Sequence, residues 1–201
     1  MKKSFSFPII FMVILTAFFT FILAFLNYST ADKISFNKEL ELNKKLLYIF
    51  DITPSSGEPD EISQAFMDNI GSIPFDDEPL YVHHGENEEV LGYAVPINGS
   101  GLWGSIEGFV GISSDYSTIL GLDFTSHSET PGLGGRISEE WFREQFRGID
   151  ITAAKNGEYI IYKPASGGNV DAIAGATLTS KSVSNFVNDD IYNFIRLRKG
   201  E

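Results

Sequence analysis

Residues 171–180 combine small residues with hydroxyl side chains, in the sequence DAIAGATLTS, directly before a long amphipathic pattern. Glycine lets a backbone approach a ligand closely. Free N–H groups at a helix start, where the helix dipole is positive, favour a bound phosphate. Thr177, Thr179 and Ser180 add hydroxyls at that point. The pattern therefore predicts a phosphate site, with an ordinary helix N-cap at Thr179 or Ser180 behind a glycine turn as the alternative.

A second glycine-rich segment, residues 127–135 (HSETPGLGG), follows an apolar run that is typical of a strand. Its glycines and its proline indicate a loop of defined shape that a flat ligand can approach closely. Glu129 and Thr130 offer polar contacts there, and Leu133 offers an apolar one. The alternative interpretation is a plain turn between a strand and a helix.

The composition excludes several other chemistries. The chain has no cysteine, which excludes disulfides, thiolate zinc sites, iron–sulfur clusters held by cysteine and a cysteine nucleophile. His127 stands alone, and His83 and His84 lie in an acidic stretch without ligand-like spacing, so we expect no metal site. A Gly-x-Gly-x-x-Gly spacing occurs at residues 99–104 (GSGLWG), but the predicted strand 106–112 follows it instead of the helix that a dinucleotide-binding motif requires, so we expect no nicotinamide binding.

The charge is negative and unevenly distributed. The formal net charge is −12, which argues against nucleic-acid binding because phosphates repel an acidic surface. No Lys or Arg lies between Lys45 and Arg136, whereas the numbers of basic and acidic residues are equal from Arg136 to the last residue. A bound anionic group is therefore expected in the last third of the chain. We interpret the acidic middle as a solvated face, with a docking face for a basic partner as the alternative.

Taken together, the two glycine segments resemble the covalent FMN-binding domain of bacterial respiratory ion pumps. That family contains the C subunit of the sodium-translocating NADH:quinone reductase (Nqr) and the G subunit of the Rnf complex. The resemblance covers nearly the whole chain, including the N-terminal apolar segment, residues 43–45, residues 101–104 (GLWG) and Trp141. GLWG and the helix around residues 43–45 favour the Nqr type, while the short chain and residues 140–146 are compatible with the Rnf type.

The resemblance implies a covalent flavin. In that family a separate flavin transferase, which consumes FAD, esterifies the last threonine of the motif to the FMN phosphate. The matching residue here is Thr177, and Asp171, Gly175 and Ala176 match the recognition pattern of the transferase. Ala174 departs from that pattern, in which serine is frequent, and leaves the acceptor hydroxyl intact. The other FMN contacts that we expect are Trp103, Glu129, Thr130, Gly132, Leu133, Leu178, Thr179 and Ser180.

The resemblance also implies a function. The chain would be an electron-transfer subunit of a sodium-translocating NADH:quinone oxidoreductase, a translocase, and would not be catalytic alone. Its partners would be the other membrane subunits and, during maturation, the flavin transferase. The alternatives are the G subunit of an Rnf-type complex, a free-standing extracytoplasmic FMN carrier, and a non-catalytic membrane-anchored binding domain.

The N-terminal segment is typical of a membrane span. No charged residue lies between Lys3 and Asp32, and the apolar residues 7–26 form about 30 Å of helix, which matches a bilayer core. Lys2 and Lys3 predict a cytoplasmic N-terminus, and hence a single-pass inner-membrane protein with an extracytoplasmic domain. A cleaved signal peptide is the alternative, although the apolar run exceeds the usual length. The span has no ionisable side chain, so ion transport is assigned to other chains.

The remaining patterns predict an α+β fold, in which a single transmembrane helix precedes one FMN-binding domain with an antiparallel sheet flanked by helices. The expected domains are an anchor at 1–31, a membrane-proximal helical segment at 32–80 and the FMN-binding domain at 81–201. The expected strands are 90–97, 106–112, 119–125 and 158–163, with a hairpin turn at 113–117. The expected helices are 36–50, 60–70, a helix capped by Ser138 that runs to Phe146 before Gly148, and 180–198.

Overall fold

The computed structural model describes residues 6–75, 78–152, 154 and 157–200. The chain begins with one long helix, α1 (Ser6–Ile49), whose N-terminal part is apolar and exposed. Its length and composition would allow it to cross a membrane. Lys2 and Lys3, which carry the predicted orientation, lie outside the described residues.

The chain divides into two compact units, and the boundary falls within α1, between Glu41 and Leu42. The division into residues 1–31, 32–80 and 81–201 stays a prediction. All further elements belong to the second unit. Its helices are α2 (Pro59–Asn69), α3 (Glu140–Arg143) and α4 (Thr177–Lys199).

A five-stranded sheet forms the centre of the second unit and confirms the α+β prediction. All neighbours are antiparallel, in the order in which they occur along the chain. The strands are β1 (Ile70–Phe75), β2 (Glu78–His84), β3 (Val90–Ser100), β4 (Ser105–Ser113) and β5 (Ile119–Ser126). The last three confirm the predicted strands, whereas β1 and β2 were not predicted. These two strands contain Gly71, Pro74 and Pro79, which weaken a strand pattern.

The turn between β4 and β5 confirms the predicted hairpin and is closed by its own side chains. The Asp115 carboxylate accepts hydrogen bonds from the hydroxyls of Ser113 at 2.6 Å and Ser117 at 2.7 Å. The Ser117 N–H donates to the same oxygen at 3.1 Å. Aspartate stabilises turns in this way, through bonds to groups two residues on.

The core lies on both faces of the sheet. Helix α4 packs against β3 and buries one apolar side, made of Val183, Phe186, Val187, Ile191 and Phe194. The last turn of α1 covers the opposite face with Leu46, Leu47 and Ile49, all buried. Arg147 donates to the carbonyls of Ile49 at 3.2 Å and Tyr48 at 2.9 Å, and the Tyr48 carbonyl also accepts the Asp51 N–H at 3.1 Å, so the end of α1 has hydrogen-bond donors from outside the helix.

The helix predicted between the Ser138 cap and Phe146 is broken into two pieces, and a separate 3-10 helix precedes them. A 3-10 helix (Gly134–Ser138), the short α3 and a second 3-10 helix (Glu144–Phe146) follow one another. The prediction of a Ser138 cap is wrong, because its hydroxyl lies 2.9 Å from His127 Nε2 and α3 begins after Glu139 without a side-chain cap. Gly148 follows with a φ of 79°.

The strand predicted at residues 158–163 is also wrong. The segment forms an isolated bridge between Tyr162 and Val170 rather than a strand, and asparagine side chains bind the backbone before this bridge. The Asn188 amide oxygen accepts the N–H groups of Tyr159 at 3.1 Å and Ile160 at 2.8 Å. The Asn169 amide oxygen accepts the Ile161 N–H at 3.0 Å. The apolar run therefore has the pattern of a strand, although asparagine side chains accept three of its backbone N–H groups.

Candidate functional site

A cleft of about 390 Å³ lies between the β3–β4 connection, the loop after β5 and the start of α4. Its volume falls within the range of typical ligand pockets, about 300–1,000 Å³. Most of the residues predicted to bind the cofactor line this cleft. They are Trp103, Glu129, Thr130, Leu133, Gly175, Ala176, Thr177, Leu178 and Thr179.

Three predicted contact residues do not line the cleft. Ser180 is fully buried, and its hydroxyl accepts the Ile173 N–H at 3.0 Å. The Asp171 carboxylate lies at the surface, 3.1 Å from Lys163 Nζ. Gly132 has a φ of 74°, which suits a turn. Ser180 and Gly132 thus shape the backbone around the cleft, and the Asp171 side chain lies outside its wall.

Two further residues line the cleft and were not predicted individually. Leu102 belongs to the GLWG segment and Gly134 to the HSETPGLGG segment, so the signal for both was present in the motifs. Gly134 is required by close packing, since a Cβ there would lie 2.6 Å from Thr179 Oγ1 and closer still to Glu129 Oε2. Gly175 has a φ of 79°, a conformation that other residues rarely adopt.

The start of α4 presents free backbone donors to the cleft. The helix begins at Thr177, and its N-cap position, Ala176, makes no side-chain capping bond. The first-turn N–H groups of a helix have no acceptor within the helix. Thr177, Leu178 and Thr179 occupy this turn, all line the cleft, and the turn carries no acidic residue. The geometry suits a bound phosphate, and the alternative of an N-cap at Thr179 or Ser180 is excluded.

The two threonines of this turn differ in their surroundings. Thr177 is exposed, whereas Thr179 is only 1% exposed. The Thr179 hydroxyl donates to Glu129 Oε2 at 2.6 Å. A hydroxyl that can react with an outside molecule is therefore provided by Thr177 and not by Thr179.

Glu129 is a buried carboxylate, 5% exposed, at the centre of the cleft wall. Its Oε1 accepts the backbone N–H groups of Leu102 at 2.7 Å and Trp103 at 3.1 Å, and its Oε2 accepts the Thr179 hydroxyl. Burial alone would raise the pKa of Glu129, but these three hydrogen bonds and the electrostatic effect of the neighbouring His127 together outweigh burial and lower the pKa. Glu129 is therefore ionised at neutral pH.

The rim of the cleft is apolar. Trp103 and Leu178 are 67% and 66% exposed, and Leu102 and Leu133 are about half exposed. Flat aromatic ligands pack well on such side chains, because offset stacking and apolar contact both favour them. The helix start, whose geometry suits a phosphate, and this rim together fit a ligand with a phosphate at one end and an aromatic ring system at the other.

His127 shapes the loop beside the cleft. Its Nδ1 accepts the Glu129 N–H at 3.3 Å, so Nε2 carries the proton and donates to the Ser138 hydroxyl. Within the residues that the structure describes, no group of three His, Asp or Glu side chains is arranged to hold a metal ion.

The chain is similar to proteins of a known family. A model of the FMN-binding domain family matches residues 101–191, which include every residue that lines the cleft. The G subunit of an ion-translocating oxidoreductase complex from Methanosarcina acetivorans is 31% identical over 185 residues, which cover 90% of each chain. The C subunit of a Na(+)-translocating NADH-quinone reductase from Yersinia pestis is 37% identical over 114 residues, 54% of this chain. The chain spans 43% of the length of that Yersinia protein.

Two solved structures share the fold. The NqrC of Shewanella oneidensis superimposes with a TM-score of 0.65 at 18% identity, over 80% of this chain and 99% of that one. The corresponding C subunit of the Na(+)-translocating NADH-quinone reductase from Parabacteroides distasonis has a TM-score of 0.65 at 23% identity, over 81% and 93% of the two chains. Together with the apolar part of α1, the sequence matches to the Methanosarcina and Yersinia subunits indicate a single-pass, membrane-anchored protein. The chain belongs to the FMN-binding domain family, which its match to the Methanosarcina protein along nearly the whole of both chains establishes.

Proposed function

We propose that this chain is a membrane-anchored flavoprotein subunit that carries FMN covalently on Thr177 and relays electrons within an ion-translocating oxidoreductase complex. One observation carries the proposal. At the start of α4, Thr177 offers an exposed hydroxyl in the same cleft wall where Thr179 is buried and bonded to Glu129.

The attachment is a group transfer for which this chain supplies the acceptor. Thr177 Oγ bonds to the FMN phosphorus of FAD, the bond between the two FAD phosphates breaks, AMP leaves, and the hydroxyl proton is released to solvent. A threonine hydroxyl is a weak nucleophile at neutral pH, so the step requires a separate flavin transferase. The chain contributes position, because Thr177 lies at the turn whose N–H groups favour the phosphate.

The other cleft residues would hold and orient the bound group. The first-turn N–H groups of α4 would bind the phosphate, and Trp103, Leu102, Leu133 and Leu178 would pack against the ring system. FMN supplies one- and two-electron transfer when bound. Asp171, Gly175 and Ala176 would serve as the recognition segment of the transferase, of which Asp171 lies at the surface.

The extent of the likeness favours the Rnf type of complex over the Nqr type that the GLWG segment suggests. The match to the Methanosarcina protein covers 90% of both chains, whereas the Yersinia protein is covered over only 43% of its length. The sodium-translocating NADH:quinone reductase is the second candidate, supported by 37% identity in the matched part. In either complex the ion pathway would lie in other membrane subunits.

We place the flavin domain on the extracytoplasmic side of the inner membrane, from the basic residues that precede the apolar segment. A covalent bond is useful there, because a carrier outside the cytoplasm could not easily recapture lost FMN.

The test is expression of the full chain with its flavin transferase, followed by flavin fluorescence on a denaturing gel and mass mapping of the modified peptide. We expect a fluorescent band that is lost in Thr177→Ala and kept in Thr125→Ala, a control at another exposed threonine. A bright band in Thr177→Ala would contradict the assignment. Co-purification with multispanning membrane proteins separates a member of a complex from a free-standing carrier.

A further inference from the structure

Glu129 is the one cleft residue whose side chain joins three separate segments of the described chain. It lies in the loop after β5, and its partners lie in the β3–β4 connection and in the first turn of α4. Both carboxylate oxygens already accept hydrogen bonds from the chain itself. The side chain is thus engaged in holding the cleft walls together.

The backbone around Glu129 packs closely against its side chain. Gly134 passes so close to Glu129 and Thr179 that no Cβ fits there, and Gly101 lies equally close, since its Cβ would be 2.5 Å from Glu129 Oε1. The carboxylate therefore occupies a space that the surrounding backbone leaves for it. Movement of Glu129 would break the hydrogen bonds that link the turn carrying Trp103 to the first turn of α4, beside the bond from the Ser182 hydroxyl to the Ser100 carbonyl that also joins these segments.

The three donors to Glu129 are neutral: two backbone N–H groups and one hydroxyl. They stabilise the ionised carboxylate without cancelling its charge. A buried charge acts strongly on its neighbours, because the surrounding dielectric constant is lower than that of water. A fixed negative charge in the cleft wall opposes added negative charge on a bound flavin, which lowers its reduction potential.

We propose that Glu129 is the positioning residue of the FMN cleft: its ionised carboxylate holds the Leu102–Trp103 turn against the start of α4 and keeps the reduction potential of the bound flavin low. The inference rests on the proposed function for its effect on flavin. The positioning role concerns contacts within the chain, and it is measurable without FMN.

Two substitutions separate position from charge. In Glu129→Gln, the amide oxygen can accept from the N–H groups of Leu102 and Trp103 while the amide nitrogen donates to Thr179 Oγ1. Glu129→Gln therefore keeps the hydrogen bonds and loses the negative charge. Glu129→Ala removes both the hydrogen bonds and the charge. Glu139→Gln is the matched control, because Glu139 is an exposed carboxylate of the same connection that bonds Arg136 and Trp141 outside the cleft.

The experiment uses the full chain in detergent, expressed with and without the flavin transferase. We expect Glu129→Gln to keep FMN per chain within about twofold of the unchanged protein and to shift the midpoint potential to more positive values. Glu129→Ala should lower FMN per chain at least about fivefold. In the chain that lacks FMN, it should shift the amide resonances of Leu102 and Trp103. Glu139→Gln should change none of these quantities.

An unchanged FMN content in Glu129→Ala, or an unchanged potential in Glu129→Gln, overturns the proposal. Absence of FMN from the unchanged protein would instead refute the proposed function, while the amide resonances still test the positioning role. Circular dichroism checks that Glu129→Ala folds. If Glu129→Ala does not fold, Thr179→Val is measured instead. The inference is overturned if Thr179→Val has the same FMN content and the same Leu102 and Trp103 amide resonances as the unchanged protein.

Discussion

Two buried carboxylates, Asp123 and Glu129, lie six positions apart in the chain and have opposite surroundings. Asp123 is 3% exposed and is paired with cations: Arg143 bonds its Oδ2, and Lys45 Nζ lies 3.5 Å from its Oδ1. The Phe124 N–H adds a bond at 2.7 Å. Glu129 is similarly buried but has only neutral hydrogen-bond donors.

The difference separates a carboxylate that stabilises the fold from one that shapes a site. At Asp123 the charge is cancelled, and the ion pairs join the end of α1 and α3 to β5. At Glu129 the charge is kept and faces a cleft. Replacing Asp123 should therefore mainly change the free energy of unfolding, whereas replacing Glu129 should mainly change the amount of FMN bound in the cleft and its reduction potential.

The largest effect is expected for Asp123→Ala. Removing one partner leaves Arg143 and Lys45 without their counterion at a largely buried position, and such losses cost about 3–5 kcal/mol. The free energy of unfolding, measured by denaturant titration of the full chain in detergent, gives this value. FMN per folded chain should stay unchanged.

The control for that measurement is Asp189→Ala, which removes an exposed carboxylate on α4 and should change stability by less than about 0.5 kcal/mol. A loss of FMN from folded Asp123→Ala would show that the two carboxylates are not separable in function.

A smaller effect is expected for Gly134→Ala, which drives a methyl group against Glu129 and Thr179. Overpacking of this kind costs about 1–3 kcal/mol. Because the strain falls on the cleft, FMN per chain should fall as well, as measured by absorbance against protein. Gly57→Ala is the matched control, since a Cβ there meets nothing within 4 Å. Equal FMN contents in the two variants would contradict the tight contact.

Thr179→Val tests one of the three donors alone. Valine keeps the shape of the side chain but removes the hydroxyl, which leaves Glu129 Oε2 without its bond at 2.6 Å. The expected cost is about 1–3 kcal/mol, because a buried acceptor loses its partner. Thr125→Val, at an exposed threonine, should cost less than about 0.5 kcal/mol. A stability equal to that of the control would show that the bond contributes nothing.

The smallest effect is a pH dependence. The pKa of Glu129 is lowered from its ordinary 4.5, so the folded state binds this proton less readily than the unfolded state. The stabilisation from Glu129 is complete above pH 4.5 and is lost as the pH falls through the lowered value. The difference in unfolding free energy between the unchanged protein and Glu129→Gln should shrink over that acidic interval. A constant difference would mean that the carboxylate is not preferentially stabilised in its ionised form.

Local patterns predicted the elements whose side chains repeat regularly. Strands β3, β4 and β5 and helix α4 follow from the spacing of apolar residues, and the glycine segments marked both walls of the cleft. Each of these signals lies within a short stretch of sequence.

The errors occurred where distant residues decide the local structure. Asn188 holds the backbone of Tyr159 and Ile160 from 28 or more positions away, and no local pattern shows that bond. The partnership of Glu129 with Leu102 and Thr179 is equally distant in sequence. The motif identified Glu129 as a flavin contact, but only the fold reveals that its oxygens are occupied by the chain.

The self-closed turn between β4 and β5 has a practical consequence for spectroscopy. The Asp115 carboxylate accepts hydrogen bonds from Ser113 and Ser117 within this turn, and the neighbouring Ser114 is exposed. Because the chain has no native cysteine, Ser114→Cys would carry the only thiol. A spin label or a maleimide dye attached there gives a single reference point from which distances to neighbouring proteins can be measured.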